Sequence, residues 1–427
     1  MEVNYIAALS LFCLTFIGIF SGQLHRSIAS FAGAIGMVLA GEFLGFYTQE
    51  EALSAVNFNT IELLVGMMIV VGTLKRTGFF EYLSIIVAKK AGKNQFSLFL
   101  ALCGLTAISS AILDNVTTIV LVAPMTLAIT EILGVSPVPY LMGEAMTSII
   151  GGMATLVGDP PNIIIGSEAG LSFNSFLIHL GPVSVLIWIC SVFIFWLFFK
   201  FKPVPPQKVE DLRGMNAQRA LEDRKSAGKL LAVIGMVVIL YMTHSYLGIE
   251  AGLVALIGAA SSLLLVKPEV KEILEDVEWD AILFLAGLFV VVGGLESVGL
   301  LSKAAEGLEV LLKGHQFIAP IGLLWIAGIL SAVIDNIPFT VAMVPIIIQL
   351  QAAGGGTYLW WGLAMGAALG GAASPVGSSA NVVAMSISER SANKISSRDW
   401  IKIGAPVAAL NLVIASLMLM LMSWIGY

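Results

Sequence analysis

Long apolar runs separated by short polar clusters dominate this chain. Residues 5–21, 27–46, 176–199, 230–243, 251–266 and 401–425 supply, in whole or part, the ~20 mostly apolar residues needed to cross about 30 Å of hydrocarbon. None of these runs alternates apolar with polar positions, so they predict helices and exclude a membrane barrel.

Two of the polar clusters occur twice. SAILDNVTTIVLVAP at 110–124 returns as SAVIDNIPFTVAMVP at 331–345, an offset of 221 that also carries Gly66, Gly72, Leu74 and Gly78 onto Gly287, Gly293, Leu295 and Gly299. GGMATLVGDPPN at 151–162 returns as GGAASPVGSSAN at 370–381, at an offset of 219. A repeat of about 200 residues is far longer than any solenoid period. The expected organisation is a first repeat over 1–200, a polar linker over 201–227 and a second repeat over 228–427.

Each repeat predicts five spans and one hairpin. The spans fall at about 5–22, 27–46, 60–74, 139–166 and 176–199, then at about 228–243, 248–266, 280–295, 358–387 and 402–426. An odd number of spans turns the second repeat upside down relative to the first. The fold class is therefore an all-α polytopic membrane protein of two inverted repeats. Each repeat has five transmembrane helices, a re-entrant hairpin (about 96–134 and 317–351) and a broken helix (about 139–166 and 358–387).

Composition agrees with this. The chain is 58% hydrophobic and 12% charged, against roughly 25% charged in a soluble domain. Residues 5–21 follow MEVN without a basic residue or a small-residue cleavage site, and read as a retained helix. Cys13, Cys103 and Cys190 lie singly in apolar segments, which argues against disulfides or a zinc cluster. With the hairpins placed as above, 20 of the 22 Lys and Arg fall on one side, and only Lys303 and Lys313 fall on the other. The positive-inside rule makes the first side cytoplasmic, linker included, with both termini outside and the cell (inner) membrane as the site. Two full spans in place of each hairpin give the same sidedness. The turn chemistry favours re-entrance, because Asp114, Asn115, Thr117 and Thr118 can satisfy a buried loop and Pro338 suits the first turn of a returning helix.

An aspartate inside an apolar segment is expensive and marks a functional site by default. Asp114 and Asp335, at equivalent places in two repeats, point to one shared site. The glycines and prolines of 151–161 and 370–377 predict discontinuous helices that aim backbone groups at a midplane site. Close helix packing is the plainer reading of the same glycines.

The paired blocks ILDNVTTIVLVAPMT with GGMATLVGDPPNIIIGS, and VIDNIPFTVAMVPI with GGAASPVGSSANVVA, resemble the ion transporter superfamily over nearly the whole chain. Within it they are similar to the branch of ArsB-like arsenite efflux permeases, the melanosomal P protein and plant silicon exporters. The Gly-Asp-Pro-Pro-Asn block places the chain nearer the P-protein-like subgroup. The resemblance implies inverted repeats, each with a scaffold part and a transport part of hairpin plus broken helix, working by elevator-like alternating access.

No Lys or Arg occurs between Lys93 and Lys200 or between Lys313 and Arg390, the intervals holding both hairpins and both broken helices. A di- or tricarboxylate is thus expected to meet no side-chain cation there, although helix dipoles alone can bind anions. The expected function is export of a neutral metalloid hydroxide, arsenite or antimonite, in exchange for protons. A sodium/proton antiporter is the alternative and a dicarboxylate transporter the weaker one. Asn115, Thr117, Asn162, Asn336, Ser378, Ser379 and Asn381, with Gly158 and Gly377 in the breaks, are the candidate substrate-binding residues. Asp114, Asp335 and Asp159, as buried neighbouring carboxyls, are the candidates for proton or ion coupling. No cysteine falls in a hairpin tip or break, so thiolate capture of trivalent arsenic is not expected.

Glu62, Glu131, Glu144 and Glu168 are expected near span ends, and His179 at an interface. Residues 79–90 and 300–313 read as amphipathic helices along opposite membrane surfaces. An intramembrane aspartyl protease is disfavoured because neither Asp114 nor Asp335 follows glycine, and Leu156 breaks the Gly-x-Gly-Asp pattern before Asp159. A passive channel is a further alternative. No ATP-binding loop of the Gly-x-x-x-x-Gly-Lys-Ser/Thr type is present, so any pump activity would need a separate ATPase subunit. The chain is not expected to be an enzyme. The expected cofactors are none, the energy coming from a proton gradient or, in the alternative, sodium. Expected partners are a small inorganic solute and the lipid bilayer, with a homodimer and an accessory ATPase subunit as further candidates and no nucleic acid.

Overall fold

The computed structural model describes residues 2–21, 23–312, 318–352, 356–391 and 393–425. Among them the chain forms helices and no strand, with one isolated backbone bridge between Asn94 and Pro203. The first half holds α1 (Glu2–Phe20), α2 (Arg26–Leu44), α3 (Gln49–Ser54), α4 (Phe58–Lys75), α5 (Phe79–Ala91), α6 (Gln95–Ser110), α7 (Asn115–Leu133), α8 (Val138–Met153), α9 (Pro160–Ala169) and α10 (Phe173–Phe198). The linker carries α11 (Pro206–Gly214) and α12 (Ala217–Ala220). The second half holds α13 (Arg224–Leu247), α14 (Ala251–Val266), α15 (Val270–Asp276), α16 (Trp279–Ser297), α17 (Leu300–Leu312), α18 (Ala319–Ser331), α19 (Asn336–Ala352), α20 (Tyr358–Gly371), α21 (Ser379–Ser388) and α22 (Ser397–Ile425). The halves correspond helix for helix in order, which is compatible with an inverted repeat.

Eight helices among the described residues are long and apolar enough to cross a membrane: α1, α2, α4, α7, α10, α13, α16 and α22. A helix of 19 residues such as α2 extends about 28 Å at 1.5 Å per residue, close to the hydrocarbon thickness. The packing is reciprocal. Helix α2 lies on α16 and α4 on α14, while α6 packs on α8 and α18 on α20. The hairpins also cross between halves, α7 meeting α21 and α19 meeting α9.

Each broken helix is held open by an asparagine. Asn162 Nδ2 donates to the carbonyls of Met153 (3.2 Å) and Thr155 (2.9 Å), and Asn381 Nδ2 donates to those of Gly371 and Ser374, both at 2.8 Å. These bonds satisfy end-of-helix carbonyls that have no intrahelical partner. Helix α9 restarts on Pro160 and Pro161, at first-turn positions where a missing N–H costs nothing.

The glycines of the breaks have a second explanation. Gly151 lies inside α8, where a Cβ would sit 2.7 Å from Ala107 Cα of the hairpin, and at Gly370 it would sit 2.6 Å from Gly328 Cα. Neither glycine has a positive φ. Close packing of hairpin on broken helix therefore fixes these residues as glycine, while the polar residues and prolines make the break. Buried bonds seal the same seam, from Ser110 Oγ to the Ser148 carbonyl (2.7 Å) and from Ser331 Oγ to the Ala367 carbonyl (2.6 Å).

The linker is docked on the first half. Leu212 is fully buried, the Glu222 N–H donates to the Thr77 carbonyl at 3.0 Å, and the Gln95 N–H donates to the Lys202 carbonyl at 3.2 Å. Helix α5 buries Phe80, Ser84, Ile85 and Ala88 on one face, as an amphipathic segment should. Lys313 and residue 317, which begins the second expected hairpin range, lie outside the described residues.

Candidate functional site

The turns of the two hairpins meet. Asp114 caps α7, its carboxylate accepting from the Thr117 N–H at 2.8 Å, and the Thr118 hydroxyl donates to the Asp114 carbonyl at 2.8 Å. Asn115 Nδ2 reaches across to Asp159 Oδ1 at 3.3 Å, where α9 begins. Asp159 is buried, and it lies close enough to Asp114, Asp335 and the Asn336 amide to interact with all three. Its Oδ2 has no hydrogen-bond partner among the described residues.

A cavity of about 40 Å³ lies between these groups. Asp114, Asn115, Asp159, Asn336, Ser378 and Ser379 line it, together with Arg26 and Glu278. At roughly 10–15 Å³ of such space per water, it holds about three waters. Glu278 also borders a second cavity of about 60 Å³, lined by Thr117, Lys75 and Asp276. That second cavity reaches the cluster in which Arg76 pairs with Asp276 (2.6 Å) and Glu272 (2.7 Å).

Six of the expected site residues thus share one cavity. Asp335 stands at its edge, bonded to Ser379 at 3.4 Å. Thr117 faces the neighbouring cavity. Asn162, Asn381, Gly158 and Gly377 sit behind the wall. The asparagines are bonded to the break, and the two glycines pack on the Ser110 and Ser331 carbonyls.

Arg26 is the main departure from expectation. With no Lys or Arg in either hairpin or broken helix, the sequence leaves the site without a cation. Instead Arg26 opens α2, and its guanidinium donates to Asp335 Oδ2 and to Ser379 Oγ, each at 3.0 Å. Asp280 lies 3.9 Å away and the Phe284 ring 5.4 Å away. Sequence distance hid this contact, since Arg26 and Asp335 are 309 positions apart. The one signal was a basic residue directly abutting an apolar run. Glu278 was missed for the same reason. It stands just outside the α16 span, and burial, then the charges of Asp114 and Asp280, push its carboxyl up to about 7.

One other expectation changes. Glu144 is not at a span end. It is fully buried within α8 and accepts from the Thr126 hydroxyl, leaving Oε2 without a partner among the described residues. His179 is stacked on Trp361 of α20, ring centroids 4.6 Å apart, between two helices. Glu168, by contrast, is exposed and accepts from Asn57 Nδ2 at 2.6 Å.

A multi-pass bundle with two polar hairpin turns meeting over broken helices defines the class: a membrane transporter, not an enzyme. The chain belongs to the CitMHS family, described as citrate transporters and part of the ion transporter superfamily, whose model matches residues 14–366. It is 35% identical to an uncharacterized transporter of Mycobacterium tuberculosis over 99% of this chain and 98% of that protein. It is 36% identical to a 46 kDa membrane protein of Mycobacterium leprae over 99% of each. The mouse P protein is 28% identical over 91% of this chain and 57% of its own length. The YdaH transporter of Alcanivorax borkumensis shares the fold, with a TM-score of 0.63 over 95% of this chain and 99% of that one, at 12% identity.

Proposed function

We propose that this chain is a secondary active transporter exporting a neutral metalloid hydroxide, arsenite or antimonite, in exchange for protons. The observation that carries the reading is the cavity itself. It is small, it sets the amides of Asn115 and Asn336 and the hydroxyls of Ser378 and Ser379 among apolar side chains, and it is bordered by Asp114 and by Asp159, one oxygen of which has no partner among the described residues. A neutral trihydroxide finds donors and acceptors there, and a carboxyl close by can take up the exchanged proton. The single arginine is already engaged by Asp335. An anion entering this conformation would face Asp114, Asp159 and Glu278 and far too little room for a tricarboxylate.

The meeting of the two turns also supports re-entrant hairpins and an inverted repeat, with the basic face and linker 201–227 cytoplasmic in the inner membrane. Elevator-like movement of hairpins and broken helices fits their packing on each other.

Two observations favour other solutes. Arg26 and the family description favour a carboxylate. The buried Oδ1 atoms of Asn162 and Asn381, equivalent in the two halves and without a hydrogen-bond partner among the described residues, favour a hard cation that takes oxygen ligands, such as sodium. Purified protein in liposomes with an imposed pH gradient separates the three. Sodium-independent, gradient-driven arsenite uptake supports the reading. Citrate uptake without arsenite uptake, or sodium movement alone, would refute it.

A further inference from the structure

The three aspartates at the site do not stand in equivalent surroundings. Asp114 is satisfied by its own helix, through Thr117, and no Lys or Arg pairs with it among the salt bridges of the described residues. Asp159 has one oxygen on Asn115 and the other without a hydrogen-bond partner among the described residues. Of the three, Asp335 is the one ion-paired among the described residues, to Arg26 at 3.0 Å.

That pair joins two parts of the molecule. Arg26 opens α2, which packs along α16 and α1. Asp335 ends the turn of the second hairpin, and Ser379 opens the restarted helix α21. One guanidinium therefore ties the α2–α16 layer to hairpin and broken helix together. The first half has no such tie at the matching place. The residue aligned with Asp280 is Asn59, which bonds Ser167 Oγ at 2.8 Å and accepts from the Gly252 N–H at 2.8 Å, where α14 carries no basic residue.

The geometry points to Arg26 as a positioning residue, a latch on the second hairpin that reserves Asp335 as its counter-ion and leaves Asp114 and Asp159 to carry the exchanged proton. The other charged groups facing Arg26 are Asp280 and Glu278 from the start of α16, and Asp114 and Asp159 across the cavity. Asp280 is the more distant partner, at 3.9 Å and nearly half exposed, so it does not replace Asp335. Removing one member of a close pair strands the other as an uncompensated charge, whereas removing both does not. The two roles differ in what Asp335→Asn removes: a latch sets the rate of uptake, and a proton carrier its coupling to protons.

Two experiments decide this, and only the second rests on the transport reading above. In the first, hydrogen–deuterium exchange is followed on the full-length protein in lipid nanodiscs without any solute. Arg26→Gln is expected to speed exchange at least about tenfold over 332–340 and leave 111–118 unchanged, with Arg26→Lys intermediate. Equal protection in Arg26→Gln and parent, or equal loosening of both turns, overturns the latch.

In the second, proton-driven solute uptake is measured in liposomes. Arg26→Gln and Asp335→Asn are each expected to lower uptake tenfold or more, while the uptake that remains still follows the imposed pH gradient. Residual uptake in Asp335→Asn that no longer responds to the gradient, with the variant normally inserted, overturns the division of roles and returns the proton to Asp335. If the parent transports none of the tested solutes, the proposed function fails while the exchange experiment still judges the latch.

Discussion

Gly→Ala substitution should have opposite signs at two helical glycines of this protein, for reasons visible only in three dimensions. In a helix interior, glycine costs about 0.5–1 kcal/mol relative to alanine through backbone entropy. Gly235 lies inside α13 with nothing within 4 Å of the position a Cβ would take. Gly235→Ala is therefore expected to stabilise by about that amount. Gly151 lies inside α8, and a Cβ there would sit 2.7 Å from Ala107 Cα and from its carbonyl carbon, and closer still to the oxygen. These are backbone atoms and cannot rotate away, so hairpin and broken helix must separate. Overpacking of this kind costs typically 1–3 kcal/mol. Gly151→Ala should end up to about 2.5 kcal/mol less stable than the parent and about 1–3 kcal/mol below Gly235→Ala. Tryptophan fluorescence during thermal denaturation of the detergent-solubilised protein reads the order of the three midpoints. A Gly151→Ala midpoint at or above that of Gly235→Ala would refute the proposed close contact.

Asp114→Asn should abolish gradient-driven uptake while leaving membrane insertion and the denaturation midpoint near the parent, because an amide oxygen still accepts from the Thr117 N–H; normal uptake would make Asp114 a structural cap only. Thr155→Val should lower the midpoint, by about 1–2 kcal/mol, since it removes the hydroxyl that donates to the Ala111 carbonyl at 2.6 Å and accepts from the Gly158 N–H at 3.2 Å. Glu278 is held above its ordinary value, to about 7, so the folded state binds a proton that the unfolded state has released between about pH 4.5 and 7. Its contribution to stability is present at low pH and lost as pH rises through that window. Glu278→Gln should thus raise the midpoint at pH 8 and leave it unchanged at pH 4.5, as denaturation at the two pH values would reveal.

The sequence by itself determined the membrane class, the doubled unit and six of the residues that line the shared cavity. Apolar length, the offsets of 221 and 219 and the cost of Asp114 and Asp335 in apolar surroundings are local properties, legible without coordinates. Asp159, Asn115 and Asn336 were legible because polar residues in the middle of apolar helices have few reasons to be there. The tertiary structure decided what each group touches. It carried Arg26 across 309 positions to Asp335, buried Glu144 between α7 and α8, and turned Asn162 and Asn381 inward to the helix breaks. It also explained Gly151 by the approach of Ala107. Partners that far apart in the chain are chosen by packing, and packing leaves no periodic mark on the residues it brings together.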